Sequence, residues 1–468
     1  MKGKVKMGFF GYILLFLAII VGVVVVFGAI LVLAPGVELL GISYTKSNST
    51  ITVNKTLDGV LLENLDIDNI SIDYKEIVIE DKTFSNAHYT VSLVKDDTKN
   101  VMAIEISNNI SGFSKYNDNL KYNVSYNYDA TNKELKVLVQ EPIINLYLSK
   151  ESDIKIYFPK NYDSSNIKLK ARTIEGDIIL GGKMINDLSL NSLDLESKSG
   201  DISVTEEVKL TGGAIDLKTE TGEITLSDQT NAFMQLHRPN INVSTKKGKV
   251  TIGELYGNVK LKTDKSTIRV GNIYGNLTID GKSGSLFGEN ISGYFTATET
   301  VESTNISLKE VSGEVLLADA KDSSLTIEKT RDRVLIKGKN GNINIGQILD
   351  EAIIETEKGS ITALVDTIKK VEVKSTSGKI DINIKSSTLG HTIQSDSGDI
   401  KVNLNVGLNV KVNLSTTKEI KTPWETLTNG NKTVCRGTAT EAELINIINI
   451  KSNNGNINLT ENAVVENN

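Results

Sequence analysis

The sequence predicts an all-β fold, a parallel β-solenoid repeat array with a β-rich lead-in, preceded by one transmembrane α-helix. Three observations predict it. An uncharged run from Met7 to Val37 is long enough to cross a bilayer as a helix. Short alternating apolar and polar stretches, the mark of half-buried strands, fill the chain beyond it. From about residue 170 a unit of the form polar-polar-Gly-x-apolar-x-apolar returns again and again. The composition agrees: the 468 residues hold 5 Pro, 1 Trp and 1 Cys, and Asn, Ser, Thr, Ile and Val dominate, as in strands joined by polar turns.

Residues 1–6 read as a cytoplasmic tail and 7–34 as the spanning helix. Lys2, Lys4 and Lys6 precede the apolar run and few positive charges follow it, so the positive-inside rule places the N-terminus in the cytoplasm and the bulk of the chain outside the cell membrane. A cleaved signal peptide is the competing reading, but the run exceeds an ordinary signal h-region and lacks a clear small-residue cleavage site. The net charge of -6 makes nucleic acid an unlikely partner. Cys435 has no second cysteine to pair with, so packing and backbone pairing must hold the fold.

Residues 43–165 form the lead-in, with strand-like runs such as Glu76-Ile-Val-Ile-Glu80, His88-Tyr-Thr-Val-Ser-Leu-Val94 and Leu135-Lys-Val-Leu-Val139. Residues 166–460 form the array. Its corners fall at Gly176, Gly200, Gly222, Gly248, Gly257, Gly275, Gly341, Gly378, Gly398 and Gly455, and between Gly248 and Gly293 they recur every nine residues. Two apolar positions separated by one polar residue share a strand face, so Ile202/Val204, Ile224/Leu226 and Val259/Leu261 point into one interior. Glycine at the corner is expected for its access to positive φ. An antiparallel meander is the alternative architecture. Tight hairpins want Asn-Gly or Asp-Gly, however, whereas here Ser, Thr, Glu, Lys or Tyr precedes glycine as often as Asn. Residues 415–450 break the beat and read as an insertion, with Trp424 either a contact loop or part of a lid over the open end of the stack.

The chemistry-bearing residues form no recognisable catalytic set. The residue after the corner runs Asp177, Asp201, Glu223, Lys249, Asn258 and onward with changing sign, as on a solvated edge; Asp177, Asp201 and Glu223 on adjacent coils are the one candidate for a weak cation site. The Gly-Gly-x-Gly-x-Asp of calcium-binding β-rolls is absent, and His88, His237 and His391 match no metal spacing and read as loop or edge residues. No cofactor is implied. Tyr256, Tyr274 and Tyr294, 18 and 20 residues apart, read as a structural tyrosine ladder with one ring per coil, with a binding strip as the alternative.

The anchor, the strand ending Ile154-Lys-Ile-Tyr-Phe-Pro159, and units such as Ser199-Gly-Asp-Ile-Ser-Val204 and Ser397-Gly-Asp-Ile-Lys-Val402 together resemble a bacterial adhesin-like family of β-strand repeat proteins of unknown function. The resemblance covers most of residues 60–460. It implies a parallel β-repeat fold at the cell surface with an adhesive or envelope-related role, and it supplies no catalytic residues. The functional expectation is a membrane-anchored, non-catalytic binding protein with an unknown extracellular or envelope ligand. The alternatives are an envelope structural or regulatory protein that self-associates, forming a homo-oligomer, or contacts a membrane partner, and an unrecognised polysaccharide-active enzyme.

Overall fold

The computed structural model describes residues 165–180, 189–298, 301–423, 426–436 and 446–462, together with residues 16–18, 20–23, 25–26 and the strands given below for the first 160 residues. Within the predicted spanning segment, the described residues are helical and their apolar side chains are exposed, as at Phe16 and Val25. Among the described residues no helix is long and apolar enough to cross a membrane. The rest of the segment 7–34 lies outside them.

The array is a parallel β-solenoid of about 11 turns. Each coil contributes two main strands, and each strand stacks in register on its counterpart one coil away. Lys168–Thr173, Ser192–Ser197, Ile215–Thr219 and Asn240–Ile252 begin the first stack, while Asp177–Leu180, Ile202–Val204 and Ile224–Leu226 begin the second. The ladders are parallel, which excludes the meander. Two nine-residue arms make one coil, so the corners found every nine residues belong alternately to two columns. Gly257, Gly275, Gly293 and Gly313 stack in one. Gly176, Gly200, Gly222 and Gly248 stack in the other, which continues through Ser266 and Gly284, and resumes at Ser323, Gly341, Gly359, Gly378, Gly398 and Gly455.

The alternation read from sequence builds the interior. One internal column runs Leu169, Leu193, Ile215, Ile241, Val259, Leu277, Phe295, Val315, Val334, Ala352 and Val371, all buried and in register. Its neighbour holds Ala297 two residues after Phe295, so a large and a small side chain share the width of that coil. Each buried aliphatic side chain contributes about 1.5–3 kcal/mol relative to exposure. The regular path departs at Ala232–His237, a short helix whose N-cap Asn231 accepts from the Phe233 and Met234 N–H groups while Met234 closes over the core.

The corner glycines are required for a reason other than positive φ. Of the ten predicted, only Gly248 and Gly257 have positive φ, at 158° and 152°. Instead, a Cβ on Gly200, Gly222, Gly359, Gly378 or Gly398 would lie 1.8–2.1 Å from the carbonyl oxygen of the corner residue one coil below. Stacked backbones come too close there to admit a side chain.

Both ends of the stack depart from sequence order. At the start, Glu76–Asp81 lies between Lys168–Thr173 and Glu134–Gln140, parallel to both. His88–Asp96 likewise lies between Asp177–Leu180 and Leu146–Pro159. The antiparallel strands Asn123–Asp129 and Ala103–Ser114 cover the outermost coil, and Ile42–Val53 pairs antiparallel to the latter. The lead-in therefore continues the array's own ladders. At the far end, Ile447–Ser452 and Ile457–Glu461 enter between the coil His391–Leu404 and the coil made by Val410–Lys421. Thr426–Arg436 then pairs antiparallel on the outside of Val410–Lys421. The stretch read as an insertion, 415–450, thus holds the second half of the coil begun at Val410, with Ile420 buried, and an antiparallel cover for the open edge.

The corner packing predicts a sharp contrast between two glycines. Gly359→Ala places its Cβ 1.8 Å from the Gly341 carbonyl oxygen, and is expected to lower stability by about 1–3 kcal/mol. Gly212→Ala meets nothing within 4 Å and should stay within about 0.5 kcal/mol of the parent protein in denaturant melts.

Candidate functional site

The corner that carries the predicted glycines is also where the buried polar groups gather. Three residues before the glycine stands a Ser or Thr: Ser197, Thr219, Thr356, Ser375, Ser395 and Ser452, each buried. Its hydroxyl oxygen accepts from the N–H of its own corner glycine, at 2.8 Å for Gly200, Gly378, Gly398 and Gly455. The same hydroxyl donates to the corner carbonyl one coil below, from Ser197 to Gly176 (3.0 Å), Thr219 to Gly200 (3.0 Å) and Ser452 to Gly398 (3.2 Å). A hydroxyl has one donor and two acceptor sites, so one side chain satisfies two backbone groups that burial would otherwise orphan. Sequence reasoning missed these residues. Their signal is a Ser or Thr at a fixed offset of three, hidden among the other polar residues of the turn.

Outside the corner runs a second ladder, made by the residue after glycine. Asp177 Oδ1 accepts from the Asp201 N–H and Asp201 Oδ1 from the Glu223 N–H, both at 2.7 Å. Asn342 Oδ1 accepts from the Ser360 N–H (3.0 Å), and Asp399 Oδ1 from the Asn456 N–H (2.7 Å). The candidate cation site at Asp177, Asp201 and Glu223 is thereby a run of backbone caps. Among the described residues no group of three or more His, Cys, Asp or Glu is placed to hold a metal ion. Charges pair between coils on both outward faces: Glu196 with Arg172 and Lys218, and Glu355 with Lys374, on the first stack, and Asp381 with Lys401 on the second.

The outward row of the second stack is uncharged from Phe287 to Thr362 and charged beyond, where Asp381 and Lys401 follow Thr362 in register. Ser203, Thr225 and Thr251 lie in register on one side of Arg269 and Phe287, and Ser307, Thr326, Asn344 and Thr362 on the other. The Arg269 guanidinium sits 5.6 Å from the centroid of the exposed Phe287 ring. Two shallow hollows open toward the array's far end. One, of about 340 Å³, is lined by Lys337, Glu355, Lys374, Gln394 and Asp396. The other, of about 400 Å³, is lined by Ser415, Thr417, Asn431, Lys451 and Asn453. Trp424 lies outside the described residues, and Cys435 is an exposed free thiol on the covering strand.

The tyrosine ladder has two rungs. Tyr256 and Tyr274 stack with ring centroids 4.5 Å apart, and a hydrogen bond to Glu254 raises the Tyr274 phenol above its usual range. Tyr294 does not join them. Its extra two residues of spacing carry it past the corner to the row of Asn258 and Asn276, where its N–H meets Asn276 Oδ1 at 3.0 Å.

The histidines also depart from the loop-or-edge expectation. His88 lies in a strand and His237 ends the short helix. His391 occupies the internal column between Val371 and Ile448 and is 2% exposed. In the coils below, the column's N–H groups bond to carbonyls: Val334 to Glu351 and Ala352 to Lys370. At the next coil Val371 N–H donates to His391 Nδ1 instead (3.2 Å), and Nε2 faces the Ser386 carbonyl at 3.4 Å. That arrangement assigns a neutral ring protonated at Nε2. Burial pushes its pKa down from 6.5 to about 4. Below pH 6.5 the unfolded chain takes up a proton that the folded chain refuses, so stability falls as pH drops from about 6.5 to about 4. The loss amounts to about 3 kcal/mol across that window and levels off below it. In His391→Gln, pH-dependent melts are expected to lose this component while retaining those of the surface carboxylates.

No curated protein matches the sequence significantly. Solved structures that resemble it include a putative cell adhesion protein from Clostridium sporogenes, at 9% identity and TM-score 0.15, covering 90% of this chain and 100% of that one. A putative adhesin from Parabacteroides merdae shows 13% identity and TM-score 0.22, covering 77% and 99%. One from Parabacteroides distasonis shows 12% and 0.21, covering 72% and 97%. Superpositions that loose carry no argument about this chain. The sequence match is of another kind: the family model Toastrack DUF4097 fits residues 67–287 and again 268–460, and the chain belongs to the Toastrack DUF4097 family.

Proposed function

We propose that this protein is a membrane-anchored binding protein of the cell surface that acts without catalysis. The observation that carries the reading is the outward row Ser307, Thr326, Asn344 and Thr362, with Phe287 at one end and the Asp381–Lys401 ion pair at the other. It offers uncharged donors and acceptors at the inter-strand spacing of about 4.8 Å on a face the parallel ladder keeps straight. Such a row matches a hydroxyl-rich polymer better than a charged one, and the exposed ring supplies a stacking surface. Two further facts support the non-catalytic side of the reading. The carboxylates Asp177, Asp201 and Asp399 cap the backbone of the next coil, and the buried hydroxyls bridge coil to coil. These groups hold the stack together and do not converge on a cleft. The apolar N-terminal run supports the anchor, and Lys2, Lys4 and Lys6 support an outward array.

Full-length protein in lipid nanodiscs is expected to bind uncharged glycan polymers saturably. The pair Thr326→Lys and Asn344→Lys, in the uncharged middle of the row, should weaken that binding about tenfold, by burying charge against the ligand. Release of shortened sugars from the polymer would contradict the reading.

A further inference from the structure

The last coil of the chain does not sit at the end of the stack. Ile447–Ser452 is parallel to His391–Ser395 on one side and to Val410–Lys421 on the other; Ile457–Glu461 pairs with Ile400–Leu404 and with Ile420 and Lys421. Ile448, Ile450, Ile457 and Leu459 are buried between the two flanking coils. The corner ladder passes through it as well. Ser452 Oγ donates to the Gly398 carbonyl (3.2 Å), and Thr416 Oγ1 to the Gly455 carbonyl (2.6 Å). Asn446 pins its start to both neighbours, donating to the Ser387 (2.8 Å) and Asn409 (2.9 Å) carbonyls, and Arg436 of the covering strand pairs with Glu461 at its end.

The flanking coils are built to meet without it. Val371 and His391 stand one coil apart, at 20 residues. The chain distances from His391 to Val412 and from Ile400 to Ile420 match that length to within a residue. The registers agree too, since Ile448 faces both His391 and Val412, and Ile457 faces both Ile400 and Ile420. Removing the terminal coil leaves Val412 over His391 and Thr416 over the Gly398 carbonyl. Val410–Lys421 is therefore a sequence-order coil that has been lifted by one level to admit a strand pair from elsewhere. The inserted pair carries the generic coil pattern, Ile448-x-Ile-x-Ser-x-x-Gly-x-Ile-x-Leu459, and follows the covering strand that ends at Arg436.

We propose that the gap between the coils His391–Leu404 and Val410–Lys421 is a strand-acceptor site that takes the Ile447–Glu461 segment of a second copy of this chain. Two copies that exchange these segments join at their C-terminal ends. Each exchanged segment keeps the ladder, core and corner contacts it has within one chain, so the exchange is balanced apart from association entropy and the link. The observation is independent of the polar face, and so is its test.

The test uses the full-length protein in a Cys435→Ser background. Copies carrying Lys401→Cys and differently tagged copies carrying Asn458→Cys are co-expressed and oxidised. Lys401 and Asn458 are in register on adjacent strands, within disulfide reach, whereas Asp381 lies one coil further down and beyond it. Exchange predicts a doubly tagged species of twice the apparent mass for the 401/458 pair, at least about tenfold above the 381/458 pair. No doubly tagged species, or equal amounts from both pairs, overturns the proposal. The double variant in one chain, which closes the same bond internally, reports that the terminal coil is seated.

Discussion

The structure depends on how closely two coils approach at the Gly176 corner. Parallel strands stack about 4.8 Å apart, and along the strands this leaves room for alternate side chains to point inward and outward. At the corner the chain turns with its carbonyl aimed at the next coil, and the gap closes to less than a methyl group can occupy. Glycine satisfies the steric demand but leaves its own N–H and C=O in a dry place. The hydroxyl three residues earlier answers that second demand, accepting from one coil and donating to the next. The apolar interior supplies most of the driving force, but it is nonspecific along the stack; the corner ladder fixes which residue of one coil lies over which residue of the next.

A stack held this way has two ends that cannot be satisfied from within the repeat. Each end exposes unpaired strand edges, which invite pairing with other chains. Both ends use the same device in mirror image along the sequence. A coil from nearer the chain terminus is placed beneath the outermost coil, and antiparallel strands cover the outside. At the far end these are Ile447–Glu461, Val410–Lys421 and Thr426–Arg436; at the near end they are the strand pair Glu76–Asp81 and His88–Asp96, the pair Glu134–Gln140 and Leu146–Pro159, and the strands Ala103–Ser114 and Asn123–Asp129. A coil held on both sides contributes more buried surface than one at the rim. The cost of the arrangement is a chain order that the repeat itself does not dictate.

What the sequence discloses follows the same division. Ile202/Val204 and their counterparts announce the interior because alternation is a local signal, and Gly248 to Gly293 announce the coil because nine residues recur without a break. The cause assigned to the glycines holds only at Gly248 and Gly257; positive φ and close approach both select glycine, and only the neighbouring coil distinguishes them. Ser395 and Thr219 were invisible in turns already rich in Ser and Thr. His391 was read as a loop or edge residue along with the other isolated histidines, though the following Thr392-Ile393 keeps the strand alternation that buries it. The placement of Gly455 over Gly398, 57 residues apart in chain terms, has no periodic trace at all. Tyr294 shows the converse: a spacing of 20 in place of 18 was enough to remove it from the ladder.

The polar row on the outside of the second stack and the hydroxyl ladder inside it are two uses of the same residue types, separated only by which way the strand points them. The inner set is the one on which the account stands, and hydrogen exchange resolved to single residues examines it directly. The corner amides of Gly200, Gly222, Gly378, Gly398 and Gly455 are bound to buried hydroxyls, and should exchange as slowly as the strand amides of Ile380 and Ile400. If they exchange as fast as the turn amide of Gly407, the coils are not clamped at their corners and the account fails.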